Sequence, residues 1–334
     1  MKIIIPMAGI GKRMRPHTLT VPKPLISVAG KPIVQWLIEE IAKVSPQKIE
    51  EIAFILGHFG DEVEKNLKNI ASTFGAKSSI YYQDEALGTG HAIYCAEPSL
   101  SGNIIVAFAD TLFKADFILD NSEDGSIWVK KVTDPSSFGV VKIDSDNKIS
   151  SFIEKPKTFV SDLAIIGIYY FKKGEILREE LKKLIDNKVI VNGEYQLTDA
   201  LETMKSKGLK FAAPFVSEWL DCGNKNATVY ANQRILENHK DEKLISTKSQ
   251  ILNSVIIPPC FIDDNVKIEN SVIGPHSSIG KGTEINYSIV KNSIIQQNSI
   301  IKNAIIDNSM IGNFVKFEGK ASDLNIGDFC TGLL

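Results

Sequence analysis

The last third of the chain carries an aliphatic residue at every sixth position. Ile256, Ile262 and Ile268 begin the series, and it restarts at 273, 289 and 305 after shifts of four or five residues. A longer echo overlies it: similar Asn-Ser-Val-Ile segments begin at 253, 270, 287 and 303. Hexads grouped into coils of roughly 17 residues are typical of a parallel β-helix, because stacked coils bury one continuous aliphatic column. A set of ordinary short strands is the alternative.

The first third alternates apolar runs with helical spacing. Runs rich in Ile, Val and aromatics predict strands at 2–5, 52–56, 79–82 and 104–109. Helices are predicted between them, at 32–44, 61–74 and 89–96. This alternation predicts an α/β domain with a mostly parallel sheet and helices on both faces. Ligands of such sheets bind at the carboxyl ends of the strands, where residues 6–15 and Asp110 fall.

The middle of the chain predicts strands that pair locally. The predicted strands are 126–132, 138–143, 148–154, 163–171 and 209–216, with a turn at 146–147. The predicted helices are 174–186, 197–207 and 224–237, the second capped by Thr198 or a near neighbour. The polar stretch 239–248 predicts a boundary between a domain at 1–238 and one at 249–334.

Composition excludes several classes of protein. The formal net charge is −2, which argues against a nucleic-acid surface. No stretch approaches the roughly 18 apolar residues of a membrane span, and the N-terminal isoleucines predict a strand rather than a signal peptide, so we expect a cytoplasmic protein. Four cysteines, at 95, 222, 260 and 330, lie far apart, which favours reduced thiols over disulfides or zinc.

Two short elements near the N-terminus suit phosphate groups. Gly9 and Gly11 let the backbone turn sharply so that amide groups can face phosphate oxygens, and Lys12 and Arg13 follow at once. Ten residues on, two prolines hold Lys23 in a rigid segment. The alternatives are a tight turn after an edge strand and a rigid surface turn with a solvated lysine. The first segment lacks the pattern of a Walker A loop and the third glycine of a Rossmann fingerprint.

The segments Pro6–Met14 and Pro22–Leu25 resemble the signature of the sugar nucleotidylyltransferase family. The resemblance continues, in order, through Gln83, 87–92, Asp110, 139–141, 154–156, 167–169, 194–199 and 219–223. It covers about the first 235 residues. Lys12 departs from the family, which usually has threonine there, and this puts in doubt how the phosphates are held.

The resemblance implies a reaction and its residues. A nucleoside triphosphate and a sugar-1-phosphate would give a nucleotide sugar and pyrophosphate, with Mg²⁺ as cofactor, on a Rossmann-like domain followed by a left-handed β-helix. Arg13, Lys23 and Lys155 would be catalytic, and Asp110 and Asp221 would hold the metal. The implied substrate-binding residues are Ala8, Gly9, Gly11, Lys12, Gln83, Gly88, Thr89, Gly139, Glu154, Gly167 and Glu194. Without the family, the chemistry still calls for cations and Mg²⁺, because two polyanions must meet.

The base and the sugar remain open between two hints. Gln83 favours a pyrimidine, because an amide offers a donor and an acceptor to the O4 and N3–H edge of uracil or thymine. Residues 163–169 resemble long glucose-1-phosphate thymidylyltransferases, whereas 87–92 resemble uridylyltransferases acting on N-acetylglucosamine-1-phosphate. We favour dTTP with glucose-1-phosphate, with UTP as the alternative.

Two other functions compete with this one. A catalytically dead relative could sense sugar nucleotides, although such a site would be free to lose its charged residues. The β-helix could transfer acyl groups, but it is short for that and His276 is the one candidate histidine in it. We expect instead that the β-helix assembles a homo-oligomer. His91 follows a glycine-rich turn, where lining a pocket and a cap or core role are equally open.

Overall fold

The computed structural model describes residues 1–191, 193–320 and 326. The predicted end of the second domain beyond 320 and Cys330 therefore lie outside the described residues, apart from Ile326. The chain divides into two compact units, Met1–Ile26 with Lys31–Asn224, and Ser27–Gly30 with the chain from Lys225 onward. The helix Lys225–Asn238 packs in the second unit, whereas the predicted boundary assigns it to the first. That boundary stays a prediction.

A mixed nine-stranded sheet forms the centre of the first unit, within the described residues. Seven strands lie in the order Ile149–Ile153, Val140–Ile143, Leu163–Phe171, Ile104–Ala107, Lys2–Pro6, Glu51–Leu56, Lys77–Tyr82, and Gly125–Lys131 pairs with Leu163–Phe171 and with Phe211–Ala212. The last four of the seven run parallel. Ile3, Ile4 and Ile5 are all fully buried, as expected for a strand covered on both faces.

Amphipathic helices connect the strands. They span Ile33–Val44, Asp61–Thr73, Thr89–Tyr94, Gly174–Asp186 and Leu197–Ser206, with 3₁₀ turns at Lys12–Met14, His17–Leu19, Lys23–Leu25 and Glu97–Ser99 and two-residue strands at Ser27–Val28 and Lys31–Pro32. In Asp61–Thr73 the buried residues are Val63, Leu67, Ile70 and Ala71. Their spacing of three or four places them on one face.

Three local predictions for the first unit are corrected by the structure. The predicted strand 209–216 is wrong in extent, since only Phe211–Ala212 is a strand and Pro214 lacks the N–H that a ladder requires. A two-stranded pair was not predicted: Thr111–Lys114 runs antiparallel to Glu218–Asp221. Thr198 does not cap its helix, because its hydroxyl donates to Glu154.

The second unit contains a parallel β-helix. Its strands form three parallel sheets: 250–252, 267–269, 284–286, 300–302 and 316–318; 255–256, 272–273, 289–291 and 305–307; 261–262, 278–279, 294–295 and 310–311. Successive coils are in register at offsets of 17 residues and then 16, as in Ile268 to Ile285 to Ile301. These three isoleucines are at most 1% exposed. The predicted fold class, a mostly parallel α/β domain followed by a β-helix, is confirmed.

Asparagines shape the corners between the faces of the β-helix. Asn253, Asn270 and Asn303 share one corner position in three coils, and all have positive φ, between 47° and 52°. Asparagine tolerates this left-handed backbone better than other non-glycine residues. The recurring asparagine that begins each sequence echo thus marks a turn between faces. Within the described part of the chain, no helix is long and apolar enough to cross a membrane.

Candidate functional site

The glycine turn begins where the first parallel strand ends. Gly11 has φ of +55°, and its carbonyl accepts a hydrogen bond from Thr18 Oγ1 at 2.9 Å. A Cβ at Gly11 would lie 3.0 Å from Thr18, whereas one at Gly9 would meet nothing within 4 Å. Ala8, Gly9 and Gly11 line a cleft of about 300 Å³. The turn therefore presents backbone amides to open space, as a phosphate-binding turn requires.

Lys23 and Asp110 form an ion pair in the same cleft. Lys23 Nζ lies 2.6 Å from Asp110 Oδ2, and both residues line the cleft. The Lys23 side chain is 13% exposed and that of Asp110 is 38% exposed. The 3₁₀ turn Lys23–Leu25 fixes the lysine, and Asp110 follows the strand Ile104–Ala107 directly. Sequence reasoning placed both residues here but did not predict that they pair.

Asp221 and Arg13 lie beside this pair. Asp221 is in register with Thr111, and Cys222 N–H donates to the carbonyl of Asp110 at 2.9 Å. Burial, then the negative charge of Asp110, raises the pKa of Asp221, while Lys23 and Arg13 oppose that rise. A Cβ at Gly223 would lie 2.8 Å from the Asp221 carboxylate and 3.0 Å from Arg13 Nη2. The structure thus brings both predicted metal ligands and two predicted catalytic cations together.

The chemistry of Asp110 and Asp221 fits a magnesium ion. Two neighbouring carboxylates repel each other, which is reflected in the raised pKa of Asp221. A divalent cation relieves that repulsion, and Mg²⁺ takes few protein carboxylates and completes its shell with water and substrate phosphates. Among the described residues, no cluster of three or more His, Cys, Asp or Glu side chains could hold a metal ion. A two-carboxylate magnesium site is therefore the metal site that the described donors fit.

A different part of the cleft is lined by Gln83 and by the start of a helix. Gln83 Nε2 donates to the Gly88 carbonyl and lies 3.2 Å from His91 Nδ1. A Cβ at Gly88 would meet the Tyr195 carbonyl oxygen at 2.7 Å, so a glycine is required there. Thr89 lines the cleft, and its hydroxyl accepts a hydrogen bond from Leu197 N–H at 3.1 Å.

Glu194 also lines the cleft, and a neighbouring segment is locked to the cleft wall. Gly90 N–H donates to the Tyr195 carbonyl, and Tyr195 N–H donates to the Leu87 carbonyl, both at 2.8 Å. Glu194 Oε2 accepts from Gln196 Nε2 at 3.0 Å. The segment after residue 193 is therefore tied to the glycine-rich turn at 87–90 by backbone hydrogen bonds, although the two are about a hundred residues apart.

Glu154, Lys155 and Gly139 form a second group that does not line the cleft. A Cβ at Gly139 would lie 3.1 Å from Glu154 Oε2, which also accepts from the Thr198 hydroxyl at 3.2 Å. Lys155 Nζ lies 3.5 Å from Glu154 Oε1, and its side chain is 58% exposed. Lys155 has a φ of +39°. The group holds one carboxylate firmly and leaves a mobile cation beside it.

Two predicted substrate contacts lie elsewhere. Lys12 is exposed and does not line the cleft. Gly167 has φ of +86° at an irregularity of its strand, and its carbonyl accepts from Phe108 N–H at 3.0 Å. A Cβ at Gly167 would press on Phe108 at 3.3 Å, so the structure assigns this glycine a packing reason of its own.

Sequence reasoning missed Thr198 and Asp199 as parts of the site. Asp199 Oδ2 is buried without a hydrogen-bond partner among the described residues, and burial, then the charge of Glu154, raises the pKa of Asp199. Both residues belong to the motif 194–199, which was identified from the sequence but from which only Glu194 was chosen. A threonine and an aspartate at the start of a predicted helix were interpreted as capping residues.

Comparisons with known proteins agree with this geometry. Residues 2–238 match the family described as "Nucleotidyl transferase", and 238–313 match "GlmU-like, C-terminal hexapeptide". A glucose-1-phosphate thymidylyltransferase from Streptomyces antibioticus is 28% identical over 318 residues, which are 88% of this chain and 87% of that protein. The bifunctional protein GlmU of Methanococcus maripaludis is 31% identical over 281 residues, 83% of this chain and 62% of that protein. A UDP-glucose pyrophosphorylase solved with UDP-glucose shares the fold, with a TM-score of 0.58 at 24% identity over 71% of this chain and 98% of that one.

Proposed function

This chain belongs to the nucleotidyl transferase family, and we propose that it transfers a thymidylyl group from dTTP to glucose-1-phosphate and releases pyrophosphate. The observation that carries the proposal is one cleft with two kinds of lining. The glycine turn and the Lys23–Asp110 pair suit phosphates, and Gln83 with Gly88 suits a base edge. A nucleoside triphosphate carries both groups in one molecule.

The reaction requires charge neutralisation rather than a general base. An oxygen of the sugar phosphate, already anionic, attacks the α-phosphorus; the new P–O bond forms as the bond to the bridging α–β oxygen breaks, and pyrophosphate leaves with that electron pair. Arg13 and Lys23 would offset the negative charge that accumulates at the α-phosphate. Mg²⁺, held by Asp110 and Asp221, would supply further charge neutralisation when bound. Lys155, beside Glu154, would attract the sugar phosphate, and Glu154 would accept hydrogen bonds from sugar hydroxyls.

The preference for dTTP and glucose-1-phosphate is supported by chain length. This chain spans 87% of a curated glucose-1-phosphate thymidylyltransferase but only 62% of a curated GlmU. UTP remains the alternative donor, since only a methyl group separates uracil from thymine and a hydrophobic contact of that size discriminates weakly. An acyl transfer function for the β-helix has less support, because His276 is 13% exposed and engaged with Glu237 at 2.6 Å.

The test is pyrophosphate release from Mg²⁺, glucose-1-phosphate and each of dTTP, UTP, GTP, ATP and CTP. We expect turnover with dTTP above UTP and little with the others, and loss of turnover in Asp110→Asn. N-acetylglucosamine-1-phosphate and mannose-1-phosphate replace glucose-1-phosphate in a second panel. Nucleotide binding without pyrophosphate release in any of these mixtures would contradict the proposal and favour a sensing module.

We propose further that the β-helix joins copies of this chain into a homo-oligomer. One of its faces carries an outward column of aliphatic side chains in register: Val255, Val272, Ile289 and Ile305, the last 80% exposed. A contiguous apolar patch of this kind marks interaction surfaces. Ile289→Lys should lower the mass measured by light scattering, whereas Glu269→Lys, on another face, should not. An unchanged mass in Ile289→Lys would rule out this face.

A further inference from the structure

Gln83 is held in one orientation by the group that accepts from its amide. The amide atom 3.2 Å from the Gly88 carbonyl oxygen must be the nitrogen, because a carbonyl oxygen only accepts hydrogen bonds. The opposite orientation would place two oxygens against each other. The Gln83 amide oxygen Oε1 therefore points away from Gly88.

The same nitrogen contacts His91, and this contact determines the state of the imidazole. Gln83 Nε2 lies 3.2 Å from His91 Nδ1, so Nδ1 must accept and the ring proton must sit on Nε2. Burial lowers the pKa of His91, with the charge of Glu85 opposing, which favours the neutral ring. Its other close neighbours, Cys95 Sγ at 3.9 Å and the Tyr195 ring at 6.4 Å, carry no charge at neutral pH.

These contacts use both hydrogens of the Gln83 amide. Sequence reasoning expected the amide to offer the base a donor and an acceptor, but the donor is engaged within the protein. Among the described residues no donor reaches Gln83 Oε1, and no acceptor reaches the backbone N–H of Gly88. Both residues line the cleft. The cleft therefore offers one acceptor, from Gln83, and one donor, from Gly88.

We propose that His91 is a positioning residue that fixes Gln83 with its oxygen toward the base, and that this selects uracil and thymine over cytosine. The inference rests on the proposed function for the identity of the ligand. At position 3 of the pyrimidine ring, uracil and thymine carry an N–H, which Oε1 accepts, while cytosine carries a lone pair, which Oε1 repels. Without His91 the amide can rotate and offer its nitrogen, which suits cytosine.

Two variants and a control separate this role from a structural one. His91→Phe keeps the ring beside Tyr195 but removes the acceptor. His91→Asn restores an acceptor, because its side-chain oxygen occupies about the position of Nδ1. Cys95→Ala is the matched control, one helical turn further on and 3.9 Å from the same nitrogen. For each protein the ratio of kcat/KM for UTP to that for CTP is measured, together with competitive binding of UTP and CTP.

We expect His91→Phe to lower the UTP/CTP ratio about tenfold or more, the effect of one mispaired hydrogen bond. The change should appear mainly in KM, and His91→Asn and Cys95→Ala should stay near the wild-type ratio. A folded His91→Phe with the wild-type ratio, or equal losses for both nucleotides, would overturn the inference.

An independent readout uses no activity. ¹⁵N chemical shifts of labelled histidines at pH 7 should show His91 as the neutral form protonated at Nε2. A proton on Nδ1 would overturn the inference whatever the kinetics show. If the wild type releases no pyrophosphate with any nucleotide, the proposed function fails, while the shift and the UTP/CTP competition still decide the role of His91.

Discussion

Replacing Lys23 with glutamine removes a cation from the phosphate end of the cleft while leaving the fold in place. The ammonium group is 13% exposed, so its interaction with a transferring phosphate is screened less than that of a surface charge. At a separation of about 4 Å and an effective dielectric constant of about 20, the interaction is worth about 4 kcal/mol. That corresponds to about a thousandfold in kcat/KM. The carboxylate it pairs with is 38% exposed, so the ion pair contributes at most about 1 kcal/mol to stability.

The assay is pyrophosphate release at saturating Mg²⁺, with thermal unfolding measured on the same samples. Lys12→Gln is the matched control, because Lys12 is a neighbouring lysine that is exposed and lies outside the cleft lining. We expect Lys23→Gln to lose about three orders of magnitude in kcat/KM and Lys12→Gln to lose less than about tenfold. Equal losses in the two variants, or a loss below about tenfold in a folded Lys23→Gln, would refute the assignment of the phosphates to the Lys23 end.

Three further substitutions test other parts of the structure. Gly88→Ala should destabilise the protein by about 1–3 kcal/mol more than Gly60→Ala, because both have positive φ but only the first would place a Cβ 2.7 Å from a backbone oxygen; similar melting temperatures would contradict this. Asp221→Asn should abolish turnover yet raise the melting temperature at pH 7 without metal. The pKa of Asp221 is raised above 3.8 in the folded protein, so wild-type stability falls as the pH rises from 3.8 through that pKa, and the difference should vanish at lower pH in a melting series. Ile285→Ala should cost about 2–5 kcal/mol and Ile305→Ala less than about 0.5 kcal/mol in denaturant unfolding, since the first is fully buried and the second is 80% exposed; equal costs would argue against a packed column.

The strands and helices of the first unit were predictable where the pattern is local. Leu163–Phe171 and Gly174–Asp186 were predicted with their observed bounds, because a long apolar run and a long amphipathic period leave little ambiguity. The pair formed by Thr111–Lys114 and Glu218–Asp221 could not be predicted in this way. Each strand has four residues, and the two lie about a hundred residues apart in the chain. Such strands owe their existence to pairing, which a local pattern does not contain.

The candidate site was predictable as a set of residues but not as a set of contacts. The positions of Lys23 and Asp110 followed from motif and topology, whereas their ion pair depends on where two separate loops meet. The same applies to Gln83, whose amide is engaged by Gly88 and His91. The role of His91 was open in the sequence between pocket, cap and core. A side chain can satisfy any of these by composition alone, and only the partners of its ring nitrogens distinguish them.

The regular coil of the β-helix has a consequence for how this domain can change length. Each rung pairs only with the rung before and the rung after it, at an offset of 16 or 17 residues. Deleting or duplicating one whole rung therefore leaves every remaining rung with neighbours of the same kind. The offsets differ by one residue in successive rungs, so the corners absorb an insertion of that size without disturbing the aliphatic column. Genetic drift in this domain is thus expected to occur in units of a rung, whereas the catalytic sheet, with strands paired out of sequence order, tolerates no such unit.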